Sequence, residues 1–262
     1  MTRILGCQSL SKAFGGVKAV QGLTFDVADG EIFGIAGPNG AGKTTLFNLI
    51  SGHLAADDGR VLLRDQDLAG TPPHKRFRLG IARTFQIPMS FDSQSVLENV
   101  FVGAYFGGPW RALSLKVPPE ALELAEDALQ LVGMESARDQ QVSRLSPYDK
   151  KRLMIASGVA GGATVLLLDE PFGGLNRTEM ETLEALIRTL NARGITIVLI
   201  EHVLRALFAV SARVLIMHHG ERIFLGPPKD AVADERVIVS YLGERAAAQA
   251  RARGLVGEAN DG

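Results

Sequence analysis

The sequence has a single cysteine, Cys7, in 262 residues. One thiol forms no internal disulfide and no cysteine-based zinc site, so the chain fits a reducing compartment and Cys7 reads as a small buried hydrophobe. Long apolar runs are missing too. The longest, at 165–168 and 195–200, fall far short of the ~20 residues that span a bilayer. The opening stretch, MTRILGCQSLSKAF, has polar breaks where a secretory signal needs a continuous apolar region, so none is expected. An excess of charge is also lacking. The 28 Lys and Arg face 29 Asp and Glu, which leaves no broad positive field for nucleic acid. Work at a membrane would therefore go through partners.

What is present is ordinary globular composition, 46% hydrophobic and 22% charged, in a length that suits one large α/β domain with an insertion. Residues 23–27 alternate apolar and polar and predict a half-buried strand. Residues 31–36 form a short apolar run into a glycine-rich loop, and 43–51 predict a helix. Strands are predicted at 60–64 and 81–85. Helical spacing then takes over at 95–106, 118–132 and 147–159, with Gly133 as a stop and 107–117 as a loop. Strands return at 164–168, 195–200, 214–217 and 222–225, with a helix at 178–193. The pattern is an α/β core interrupted by a helical insertion at about 87–158.

Between the strand at 31–36 and the helix at 43–51 lies Gly37-Pro38-Asn39-Gly40-Ala41-Gly42-Lys43-Thr44-Thr45, which satisfies GxxxxGK[ST] in the context the motif needs. Its glycines let backbone N–H groups curl around phosphates, and the helix N-terminus adds its positive end. Lys43 reaches the β- and γ-phosphates, and the Thr44 hydroxyl is a ligand for Mg²⁺. Downstream, the buried strand TVLLL ends in Asp169-Glu170. At a strand tip Asp169 holds Mg²⁺ through water and Glu170 polarises the attacking water. These two motifs make the chain a P-loop nucleoside triphosphatase.

Further residues fall in a telling order: Gln86 after Arg83-Thr84-Phe85, Leu145-Ser146 before a helix, Gly174-Leu175-Asn176, and Glu201-His202 at a strand end. Over essentially the whole chain this order resembles the ATP-binding subunit of an ABC transporter. The segments FGGVKAV (14–20), ARTFQ (82–86), SVLENV (95–100), GLN (174–176), IEH (200–202) and SYLG (240–243) resemble the ATPases of branched-chain amino-acid importers. That group also covers urea, amide and aromatic-acid importers.

The resemblance implies a RecA-like core with an antiparallel β subdomain and an inserted α-helical subdomain. Residues 1–262 would form one nucleotide-binding domain, with a C-terminal helical tail from about 226 to 262. It implies ATP and Mg²⁺ as cofactors. Phe14 would stack on adenine, Gln86 would ligate Mg²⁺ and sense the membrane subunit, and His202 would be the switch near the γ-phosphate. Asn176 would lie in the loop crossing a dimer interface, where most relatives carry an acidic residue. Implied partners are integral-membrane permeases, a second copy or a second ABC ATPase, and indirectly an extracytoplasmic solute-binding protein. The chain would sit peripherally on the cytoplasmic face of the membrane. The apolar stretch at 87–117, with Phe91 and Trp110, would receive a membrane-subunit helix. A lipid or lipopolysaccharide transporter and a soluble non-transport ABC ATPase are the alternatives.

One segment departs from the family. The signature, usually LSGGQ or in this branch LSYGQQR, reads Leu145-Ser146-Pro147-Tyr148-Asp149-Lys150-Lys151-Arg152. Tyr148 stands where glycine allows close backbone approach and is expected to fill that space. Asp149 is expected to repel a γ-phosphate unless Lys150, Lys151 or a partner compensates. The expectation is a weakened signature donated to a partner's ATP site. The basic run 150–152 reads as a solvated helix face, and the tail from Glu244 as a short fraying helix.

Overall fold

In the computed structural model, which describes residues 2–108 and 118–242, strand β1 (Arg3–Phe14) pairs antiparallel with β2 (Val17–Ala28). Along β2, buried Leu23, Phe25 and Val27 alternate with exposed neighbours. β1 was not among the predicted strands. Register shifts after Cys7 and Leu10, with Ser9 at φ 48°, break the alternation that a sequence reading needs. β1 and β2 join β4 (Asp58–Leu63) and β5 (Gln66–Asp67) in a four-stranded sheet, order β2-β1-β4-β5; β3 (Ile32–Ala36) belongs to the second sheet.

That second sheet has six strands. With β3 it holds β6 (Ile81–Arg83), β7 (Val165–Asp169), β8 (Thr196–Ile200), β9 (Arg213–His218) and β10 (Glu221–Gly226), in the order β10-β9-β3-β8-β7-β6. Every neighbouring pair is parallel except β9 with β10. Val165 and Leu167 of β7 face one core cluster, and Leu166 and Leu168 face the other. Burial on both faces explains why these strands read as unbroken apolar runs.

Helix α1 (Lys43–Ser51) follows β3, and α2 (Pro73–Arg78) precedes β6. Between β6 and β7 the chain forms α3 (Val96–Gly107), α4 (Pro119–Leu131) and α5 (Pro147–Ala160), which pack on one another. Ser95 and Glu98 make a capping box at the start of α3, and Gly133 at φ 68° stops α4. Gly107, expected in a loop, is the last residue of α3; residues 109–117, including Trp110, lie outside the described residues. The remaining helices are α6 (Arg177–Ala192), α7 (Leu204–Val210), α8 (Pro228–Ala231) and α9 (Glu235–Leu242). The expected helical tail therefore opens with the end of β10, and residues 243–262 lie outside the described residues.

Gly103 and Gly107 let α3 lie directly on α5. A Cβ at Gly103 would stand 2.2 Å from the Ser157 carbonyl oxygen, and one at Gly107 2.2 Å from that of Gly161. Gly103→Ala should therefore destabilise the chain by about 2 kcal/mol, although alanine is the better helix former. A denaturation midpoint that rises with the substitution would contradict this packing.

Candidate functional site

Strands β6, β7, β8 and β3 are adjacent and parallel, so their C-terminal ends lie along one edge of the sheet. That edge is where open α/β sheets place ligands. It brings together Gln86 beyond β6, Asp169-Glu170 at β7, Glu201-His202 beyond β8, and the loop from Gly37 to Lys43 beyond β3. These residues are up to 165 positions apart in the chain, from Gly37 to His202.

The loop is held by close backbone approach. A Cβ at Gly42 (φ 98°) would stand 2.0 Å from the Ala19 carbonyl, and one at Gly37 2.2 Å from that of Met217. α1 has no side-chain cap and no acidic residue in its first turn, which leaves its N-terminal end, with its positive dipole, uncompensated by any side chain among the described residues. The buried Lys43 ammonium donates to the carbonyls of Gly37 (2.7 Å) and Pro38 (3.0 Å). Burial pulls its pKa below the usual lysine range, against the charges of Glu170 and Asp169. Asn39, Gly40, Ala41, Gly42, Thr44 and Thr45 line a cleft of about 520 Å³ that also includes Gly16–Ala19, Glu170 and His219. Phe14, just before that wall, is 50% exposed beside the Lys12 ammonium and is not one of the lining residues.

Glu170 is the meeting point. Its backbone is in the left-handed region, φ 48°, a strained conformation for a residue with a side chain. Gln86 Nε2 donates to its Oε2 at 2.8 Å, and His202 Nδ1 lies 3.7 Å from the same oxygen. A cavity of about 400 Å³ opens among Gln86, Pro147, Lys151, Glu170, Gly174 and His202. The Thr44 hydroxyl, the Gln86 amide oxygen and the Asp169 carboxylate are hard oxygen donors of the kind Mg²⁺ takes together with phosphate oxygens. Among the described residues, no group of three or more His, Cys, Asp or Glu is set to hold a metal.

Three residues escaped the sequence reading of the site. Arg83 pairs with Asp169 at 2.8 Å in a buried contact. Lys151 gives its three N–H donors to the carbonyls of Glu170 (3.1 Å), Pro171 (2.8 Å) and Gly173 (2.7 Å), which fixes the turn after β7. Glu201, fully buried, accepts from the backbone N–H of Phe172 at 2.7 Å and of His202 at 3.2 Å. Burial pushes its carboxyl up. Arg83 and Glu201 stood inside the motifs Arg83-Thr84-Phe85-Gln86 and Glu201-His202, which pointed to their neighbours, and Lys151 was named only as a counter-charge for Asp149.

The signature segment differs from expectation in three ways. The Tyr148 ring packs against the helical core, with the Arg152 guanidinium 4.8 Å above it and its hydroxyl buried without a partner. It does not fill the helix mouth. Asp149 is paired by Arg152, not by Lys150 or Lys151, and it accepts a 2.8 Å hydrogen bond from the Ser146 hydroxyl that caps α5. Lys150 pairs with Asp92 at 3.3 Å, so the basic run is a set of internal ties and not a solvated face. Pro147 occupies the first turn of α5. Asn176 caps α6 in a capping box with Glu179, at the end of the loop that begins at Glu170.

Next to Gln86 an apolar groove of about 280 Å³ is lined by Phe77, Arg83, Phe85, Met89, Phe91 and Phe106 among others. Met89 and Phe91 are 73% and 59% exposed. No helix among the described residues is long and apolar enough to cross a membrane.

Residues 20–173, more than half of the chain, match the family described as ABC transporter. The chain belongs to that family. It has the fold of the ABC ATPases. It is similar to the high-affinity branched-chain amino acid transport ATP-binding protein LivG of Escherichia coli, 36% identical over 250 residues that cover 92% of this chain and 98% of that one. It is also similar to the lipopolysaccharide export system ATP-binding protein LptB of Acidithiobacillus ferridurans, 34% identical over 245 residues, 94% of this chain and 99% of that one. Among solved structures, a nucleotide-free ATP-binding cassette from an ABC transporter superposes with a TM-score of 0.84 at 29% identity, covering 92% of this chain and all of that one. The ADP conformation of the cassette MJ1267 gives 0.83 at 29% identity, covering 93% of this chain and all of that one.

Proposed function

We propose that this ABC ATPase is the energising subunit of an importer for branched-chain or related small amino acids, hydrolysing ATP with Mg²⁺ on the cytoplasmic face of a membrane. The observation that carries the reading is the convergence of Gln86 and His202 on the Glu170 carboxylate beside an open phosphate loop. The amino-acid cargo rests on the resemblance to LivG proteins at 33–36% identity. The LptB relative, at 34%, favours lipopolysaccharide export as the second reading.

In the proposed cycle, Lys43 exchanges the Gly37 and Pro38 carbonyls for β- and γ-phosphate oxygens, and the free N–H groups of α1 bind the rest. Phe14 serves the adenine from the rim of the cleft. Thr44, Gln86 and, through water, Asp169 would hold Mg²⁺, which neutralises phosphate charge when bound. Glu170 takes the proton of the attacking water as the bond from the γ-phosphorus to the bridging oxygen breaks. Gln86 and His202 keep its carboxylate aimed. Two nucleotide-binding subunits close head to tail, with Ser146 and Asp149 facing the partner's nucleotide and Asn176 at the contact loop. The groove beside Gln86 receives a helix of a permease, for which exposed Met89 and Phe91 supply apolar contact.

The test is an affinity pull-down of this chain from detergent-solubilised native membranes, with every co-purifying subunit identified. Two multi-span permeases and an amino-acid-binding protein are expected. Recovery of lipopolysaccharide-transport subunits would favour the second reading. Recovery of soluble partners alone would overturn transport.

A further inference from the structure

Arg83 sits where a cation is unusual. Its side chain is 6% exposed and that of Asp169 is 7% exposed. One guanidinium nitrogen donates to Asp169 Oδ2 at 2.8 Å, and the other to Asn48 Oδ1 at 2.6 Å and Ser51 Oγ at 3.1 Å. Its central carbon stands 5.6 Å from the ring centre of Phe47 and 4.9 Å from that of Phe85. Its Nε is buried with no partner at all. A buried N–H left unmade is costly. The guanidinium is thus committed to Asp169 and α1 at the expense of its own satisfaction.

The charges at the sheet edge then balance before any nucleotide enters. At the loop Asp169 and Glu170 face the cations Lys43 and Arg83, and farther along the edge Glu201 faces Lys151. Without Arg83, the one remaining counter-charge to the buried Asp169 carboxylate would be Lys43, the same cation that the phosphates of ATP must recruit.

We infer that Arg83 is a resident counter-cation: a positioning residue that neutralises Asp169, so that the loop accepts a nucleoside triphosphate before a metal does. The inference rests on the nucleotide-site reading above and adds to it a order of binding that needs no metal for the first contact. Arg83 acts through Asp169 and touches no substrate.

The experiment titrates the full chain with a fluorescent ATP analogue, once with EDTA and once with excess Mg²⁺. In wild type the analogue binds under both conditions. Arg83→Met should weaken binding about fivefold in EDTA and leave it nearly unchanged in Mg²⁺, where the metal supplies the missing charge. Arg83→Lys, which keeps the charge, should restore the EDTA value. Asp169→Asn, which leaves the guanidinium unpaired, should shift EDTA binding the opposite way, toward tighter. This last variant carries the test if Arg83→Met does not fold. Equal weakening of Arg83→Met in EDTA and Mg²⁺ would mean a purely structural role and overturn the inference, as would weaker EDTA binding by Asp169→Asn. Failure of the wild type to bind in either condition would instead overturn the nucleotide-site reading.

Discussion

Glu170→Gln should reduce phosphate release at least a hundredfold while ATP still binds. The carboxylate carries the whole proton-accepting capacity proposed for the site, and losing a positioned general base costs about 10²–10⁴ in rate. The glutamine side chain has the same length and planarity, so the 2.8 Å contact with Gln86 survives as an amide–amide hydrogen bond. The strained backbone at φ 48° is held by Lys151 on the following carbonyls, and the substitution leaves those bonds untouched. The Lys43 contacts and the open N-terminus of α1 are likewise unaffected. Colorimetric phosphate release and equilibrium nucleotide binding, measured on one preparation, separate the two effects. Hydrolysis within threefold of wild type would move the base to another residue. Loss of binding along with hydrolysis would make Glu170 a structural part of the cleft.

How far the sequence alone reaches depends on which forces are local. The start of α1 at Lys43 was legible because a glycine-rich loop and an apolar helix face lie next to each other in the chain. β7 and β8 were legible because burial on both faces writes an unbroken apolar run. α3 was legible from the helical spacing of 95–106, and the fold adds the capping box of Ser95 and Glu98 at its start. β1 was hidden because its bulge at Ser9 destroys the alternation, and its partners are long-range. The motif residues Lys43, Gln86, Asp169, Glu170 and His202 were legible as a pattern. Their meeting at one sheet edge follows from the parallel order β6-β7-β8-β3, which no local signal encodes. The Arg83–Asp169 pair spans 86 positions, and Lys151 reaches carbonyls 19 to 22 residues away. Such contacts exist only in the folded chain. The direction of the Tyr148 side chain was misjudged for a related reason. A glycine replaced by tyrosine reads as an obstruction, yet the helical core offers the ring a place under Arg152.

That placement shifts the weight of the altered signature from Tyr148 to Asp149. Asp149→Gln should raise ATP turnover in the assembled complex about tenfold. Burial disfavours its charge, but hydrogen bonds from Arg152 and Ser146 outweigh burial and hold the carboxyl below its ordinary range, so it is ionised at neutral pH. In the proposed head-to-tail pair this carboxylate faces a γ-phosphate. Two like charges about 6 Å apart repel by about 3 kcal/mol at an effective dielectric of about 20, and Arg152 cancels part of that. A residue of about 1.4 kcal/mol corresponds to tenfold in rate. The carboxylate also accepts the Ser146 hydroxyl's hydrogen bond at 2.8 Å, a bond that hydroxyl could otherwise donate to a phosphate. Glutamine removes the charge and frees that donor. Tyr148→Gly should act differently. It empties a half-buried ring from the helical core and places glycine in the first turn of α5, so stability should fall by about 3 kcal/mol, with no gain in turnover. Steady-state turnover of the permease-bound ATPase, with thermal unfolding of each variant, distinguishes the two positions. If Asp149→Gln leaves turnover unchanged while Tyr148→Gly raises it, the ring and not the carboxylate is the obstruction.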